Sequence, residues 1–168
     1  ERLAQSALDL AIDDPELTDA LESLAKVMLA QAVGDLAWKY FNEAADACER
    51  VEPFDGLRVA GLCARACEIA ERWPGSMRGV SPPEEDVRAL LERGFAALPP
   101  GDSEERIRLL GLRASWLFAY PRDDATLAEF EAGEAAGLEA AESAMRLGLP
   151  NLASAVLDQA NGAFLSRG

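Results

Sequence analysis

Three thiols, three indoles and a large excess of carboxylates are the groups in this chain able to do chemistry. Cys63 and Cys67 stand four residues apart, which puts both on one face of a helix, with Cys48 in the preceding segment. A structural zinc site takes four Cys or His ligands, and the chain has no His. The thiols therefore read as small apolar core residues. An odd count of three in a Cys-poor chain argues against a disulfide framework and fits a reducing, cytoplasmic setting. Without His, the commonest acid–base and metal-binding side chain is missing. Neither a Gly-x-x-x-x-Gly-Lys-Ser phosphate loop nor a Gly-x-Ser-x-Gly nucleophile elbow occurs. Glu129, Glu131, Glu134, Glu139 and Glu142 form an acidic run, with no Lys or Arg from 123 to 145. Di-metal helical bundles need Glu-x-x-His on paired helices, so this run reads as a solvated or partner-facing side. Trp38, Trp73 and Trp116 lie on or beside three different helices and read as packing residues before ligand-stacking ones. The expectation is a non-enzyme with no cofactor and no metal.

The segments that carry these groups are helical in pattern. Apolar residues recur at three and four, and Ala, Leu, Glu and Arg abound where β-branched residues are scarce. Breakers divide the chain into helices at about 1–12, 15–32, 35–51, 55–73, 83–97, 103–119, 124–147 and from 151 onward. Asp14 is expected to cap the second, with Pro15 in its first turn. Ser81 is expected to cap the fifth with Glu84 as capping-box partner, and Ser103 to cap the sixth without a full box. Gly133-x-x-x-Gly137 marks close helix packing or a break in the seventh. No apolar run approaches the roughly 20 residues that span a bilayer. With 168 residues, a single domain covering 1–168 is expected.

Short helices joined by Pro-Gly punctuation make either a helical bundle or a stack of helix pairs, and an internal repeat favours the stack. Leu21, Leu24, Ala25 and Met28 on one helix are followed by Ala37, Phe41 and Ala44 on the next. The small residues permit close approach, and Phe41 wedges beside them. The first-helix spacing recurs at Ile107, Leu110, Gly111 and Ala114, again at Leu157, Ala160, Asn161 and Phe164 with Gly168 at the turn, and more faintly at Val59, Leu62 and Cys63. This pattern resembles the tetratricopeptide repeat (TPR). The stretches GDLAWKYFNEAADACE and EAAESAMRLGLPNLASAVLDQANGAFLSRG look most like the degenerate TPR-like arrays of large bacterial regulators, such as LuxR-type ATP-dependent activators and cyclase-linked signalling proteins. Repeat starts at 21, 59, 107 and 157 are spaced more widely and less evenly than the roughly 34 residues of a standard repeat. The expected fold is all-α, antiparallel helix pairs stacked as a TPR-like right-handed superhelix, with an irregular helical bundle as the alternative. Residues 1–12 read as the second helix of a repeat and 151–168 as a first helix, so the chain is expected to be a piece of a longer array.

The resemblance implies a non-catalytic protein-protein interaction or scaffold module of a bacterial signalling or transcription regulator. In that register Asp19, Glu22, Lys26, Glu105, Arg108 and Asp158 project toward the inner face and are the candidate partner-binding residues. The net charge of −14 favours a basic protein or peptide partner and disfavours direct nucleic-acid binding, which depends on phosphate neutralisation. The alternative is a sensor domain that holds a small molecule within the superhelix and relays its presence to an attached effector.

Overall fold

The protein, described by a computed structural model, folds into helices throughout. The structure describes residues 2–72, 74–77, 79 and 81–165, the last four by their backbone alone. Trp73, the Phe164 side chain and Gly168 lie outside the described residues. The helices are α1 (Arg2–Leu10), α2 (Asp14–Ala30), α3 (Gly34–Cys48), α4 (Gly56–Arg72), α5 (Glu84–Ala97), α6 (Glu104–Ala119), α7 (Leu127–Arg146) and α8 (Pro150–Leu165), with a short 3₁₀ turn at Pro74–Ser76. No strand occurs among the described residues. The all-α fold read from periodicity is thus the observed one. None of the described helices is long and apolar enough to cross a membrane.

Helix ends depart from the sequence expectation where capping chemistry decides them. The cap of α2 is Asp13, not Asp14: its carboxylate accepts from the Glu16 N–H at 2.9 Å. That leaves Pro15 in the first turn, where a missing N–H has no helical partner to lose. The cap of α5 is Pro83, with no side-chain hydrogen bond, so Ser81 and Glu84 form no capping box. Two consecutive prolines explain this. The residue before a proline avoids the helical region, and Pro83 itself is extended (φ −56°, ψ 146°). Ser81 is then too far out to reach the first free N–H groups. Ser103 does cap α6, accepting from the Arg106 N–H at 3.1 Å. The seventh helix begins at 127, not 124, with Thr126 and Glu129 forming a reciprocal capping box.

The chain divides into two compact units, residues 1–99 and 100–168. In the first, each helix packs on the next in sequence, from α1 to α5. Consecutive helices run antiparallel: Arg50, just past α3, bonds to Asp14 at the start of α2, and the start of α4 meets the end of α5. The core is built from Leu24, Phe41, Leu62, Ile69 and Val87, all fully buried. Between them Ala37, Ala44, Ala60 and Ala64 have no exposed surface. That is what the small-aromatic-small stripe of α3 requires: alanines let the helices close up while Phe41 fills the volume beside them. Helix α1 has no buried residue and leans on α2.

In the second unit α6, α7 and α8 pack on one another. Ile107, Leu112, Ala140, Ala144, Val156 and Ala160 are buried there. Helix α7 is unbroken through Gly133 and Gly137, so this motif marks close packing and not a break. A Cβ on Gly137 would sit 2.6 Å from that of Ala160 on α8. Trp116 stacks at a tilt on Tyr120, ring centroids 4.7 Å apart.

Candidate interaction site

Helix α2 turns Asp19, Glu22 and Lys26 to one side, at spacings of three and four that place them on adjacent turns. The structure adds a residue that sequence reading missed, Arg58 in the first turn of α4. Its guanidinium binds Asp19 and also Glu22, the latter at 3.0 Å. Lys26 approaches the other oxygen of Glu22 at 2.6 Å. Burial by itself would raise the Glu22 carboxyl, but hydrogen bonds from Lys26 and Arg58 outweigh it and hold the pKa below the ordinary value. Three of the six expected partner-binding residues are therefore gathered into one four-residue cluster that also ties α2 to α4.

The same device recurs one helix on. Arg93 of α5 binds Asp46 of α3 and Glu49 at its C-terminal cap, each at 2.8 Å. Both arginines grip the same local sequence, Asp19-Ala-Leu-Glu22 and Asp46-Ala-Cys-Glu49. The recurrence of Asp-Ala-x-Glu was visible in the sequence. Its arginine partners, 36 and 44 residues downstream, were not.

The other three expected residues belong to the second unit. Arg108 on α6 bonds to Glu104 at 2.7 Å and borders a cleft of about 430 Å³ at the start of α8, formed with Gly148 and Asn151. Glu105 is half-buried on α6, and Asp158 is exposed on α8.

A larger groove, about 650 Å³, opens in the first unit where α3 ends and α4 begins. Pro15, Val51, Phe54, Leu57, Leu98 and Pro99 give it an apolar lining, with Asp55 and Arg58 at its edge. Phe54 is 54% exposed and Leu57 39%. Local chemistry builds both walls. The Asp55 carboxylate accepts from the Arg58 N–H at 3.0 Å and so starts α4. Gly56 then lets the helix lie against the end of α5, where a Cβ would come within 2.1 Å of the Ala97 carbonyl oxygen. Only glycine permits that approach.

The cysteines are packing groups. All three are buried, and burial pushes the thiol of Cys63 up to about 12 and that of Cys67 higher still. Cys67 donates a long hydrogen bond to the Val87 carbonyl at 3.6 Å. Among the described residues, no three His, Cys, Asp or Glu side chains converge in a way that would hold a metal ion. Trp38 is half-buried on α3, its indole N–H without a hydrogen-bond partner. What these arrangements do is hold charge and apolar surface in fixed positions.

Comparison with protein-family models, with curated proteins and with solved structures finds no match to this chain.

Proposed function

We propose that the chain is a non-catalytic binding or scaffold module, a TPR-like stack of helix pairs from a bacterial regulatory or signalling protein, working in the cytoplasm. The observation that carries this reading is the pair of arginine clamps. Arg58 links α2 to α4, and Arg93 links α3 to α5, while consecutive helices are antiparallel. A stack of helix pairs sets first helices beside first helices and second beside second and so makes long faces for partners, and the two clamps support that arrangement. The partner-binding residues lie on first helices of each unit taken by itself: Asp19, Glu22 and Lys26 on α2 of the first, and Glu105, Arg108 and Asp158 on α6 and α8 of the second. A net charge of −14 selects a basic segment and opposes nucleic acid. The grooves are open to solvent, which suits a polypeptide better than an enclosed small ligand.

The test is cross-linked affinity capture from the source cell's lysate. Wild type is compared with a Glu105→Lys, Asp158→Lys variant, which leaves the contacts of Arg58 and Arg93 in place. A protein retained by wild type and depleted in the variant is the expected result. Equal retention, or no specific protein in either sample, overturns the reading.

A further inference from the structure

We propose that the groove at the α3–α4 corner is a docking site, separate from the first-helix face, for a short polypeptide segment that pairs an apolar side chain with a lysine or arginine. Its apolar character is plain from Phe54 and Leu57, two large side chains held open to solvent over Val51 and Leu98. Isolated exposed apolar residues are ordinary, but these line one concave surface. The groove does not close on itself because both walls are pinned: Asp55 caps α4, and Gly56 abuts the Ala97 carbonyl. A site built on fixed walls keeps its shape for a partner and loses little entropy on binding.

The charge around it selects the occupant. Arg58 lines the groove and Arg50 lies just past α3, and each is already engaged. Arg58 is held by Asp19 and Glu22, and Arg50 by Asp14 at 2.6 Å. Exposed Asp55 remains in the lining. An anionic segment would meet the Asp55 carboxylate, whose neighbouring arginine is taken, whereas an incoming lysine or arginine would supply a countercharge. A second copy of this chain carries the same net charge of −14 and is a poor occupant for that reason. Aromatic and aliphatic anchors seated in a small pocket carry most of the affinity in such contacts, with the ion pair fixing direction.

The experiment is selection of a random displayed 12-residue peptide library on the immobilised full chain, followed by titration of the enriched peptides. Enrichment of a Leu, Ile or Phe beside Lys or Arg is expected. Phe54→Ser, at an exposed position that should leave folding intact, is expected to weaken such a peptide by about tenfold. Asp55→Asn, which keeps the cap, is expected to weaken it about threefold and to reduce its salt dependence. Leu57→Ser serves as a second apolar variant, and each variant's circular dichroism and unfolding midpoint check that the fold is kept. Three results overturn the inference: no enrichment, enriched peptides that lack a basic residue, or peptides that bind the Phe54 and Leu57 variants as well as wild type. A peptide lost instead in the Glu105→Lys, Asp158→Lys variant assigns binding to the first-helix residues, leaving that reading intact and removing this one. Sedimentation that shows wild-type dimers dissociated by Phe54→Ser assigns the groove to a second copy and likewise removes it.

Discussion

Ala32 and Gly148 do the same work with different residues. Each follows a helix in the left-handed region, at φ 54° and 70°. Each sits in the same pair of closing bonds: Ala32 N–H to Leu29 and Val33 N–H to Met28 after α2, Gly148 N–H to Met145 and Leu149 N–H to Ala144 after α7. Glycine adopts this conformation without strain, while alanine crowds its Cβ against the backbone. Ala32→Gly is therefore expected to stabilise the protein by about 1 kcal/mol even after the larger entropy of glycine in the unfolded chain, and Gly148→Ala to destabilise it by a similar amount. Urea unfolding midpoints measure both. At this scale much was legible. The Cys63–Cys67 spacing without His pointed to buried thiols, and buried thiols are what the fold contains. Arg58 was not legible, because nothing near residue 58 in the chain indicates which carboxylates it will meet.

Helix ends show where local sequence suffices and where it is misread. Thr126-x-x-Glu129 is a complete capping box that the sequence displays. The Glu129 carboxylate accepts from the Thr126 backbone N–H at 2.8 Å and from the Thr126 hydroxyl at 2.9 Å, and pairs with Arg122. These bonds hold its pKa at about 2, below an ordinary value near 4.5. The carboxyl is depressed in the folded state, so its contribution is complete above the unfolded value and is lost as pH falls from about 4.5 toward 2. Glu129→Gln is expected to flatten the acid dependence of unfolding in that window, as followed by circular dichroism between pH 6 and 2. The junction of α4 and α5 is a different case. A Cβ at position 56 would lie 2.1 Å from a backbone carbonyl oxygen, which has no flexible end to move aside. Gly56→Ala is expected to destabilise the first unit by about 1–3 kcal/mol, the usual range for forced overpacking, and chemical denaturation of the variant reads this directly.

The arginine clamps belong to the scale of the whole molecule, since each joins helices that are not neighbours in sequence. The Arg58 side chain is about a third exposed and Glu22 less so. Solvent screening therefore limits the pair, and a double-mutant cycle on Arg58→Met and Glu22→Gln is expected to give a coupling of about 1 kcal/mol or less. That coupling should shrink at high salt, because screening reaches a partly exposed pair. A coupling of zero at low salt would remove the clamp as a link between α2 and α4. The local Lys26–Glu22 contact spans one helical turn and needs no tertiary structure. The clamps do, and they assemble only once the intervening helices have folded back.

By itself the sequence determined the helical character, the approximate spans of eight helices and the core stripe of α3. Periodicity, propensity and the Pro-Gly breaks act over a few residues and are written locally. Tertiary structure alone decided the division into two units, the Arg58 and Arg93 clamps and the groove beneath Phe54 and Leu57. Each of these depends on residues tens of positions apart being brought within a few ångströms. Helical patterning says which face is buried, but only the packing of one helix on another says what each face meets.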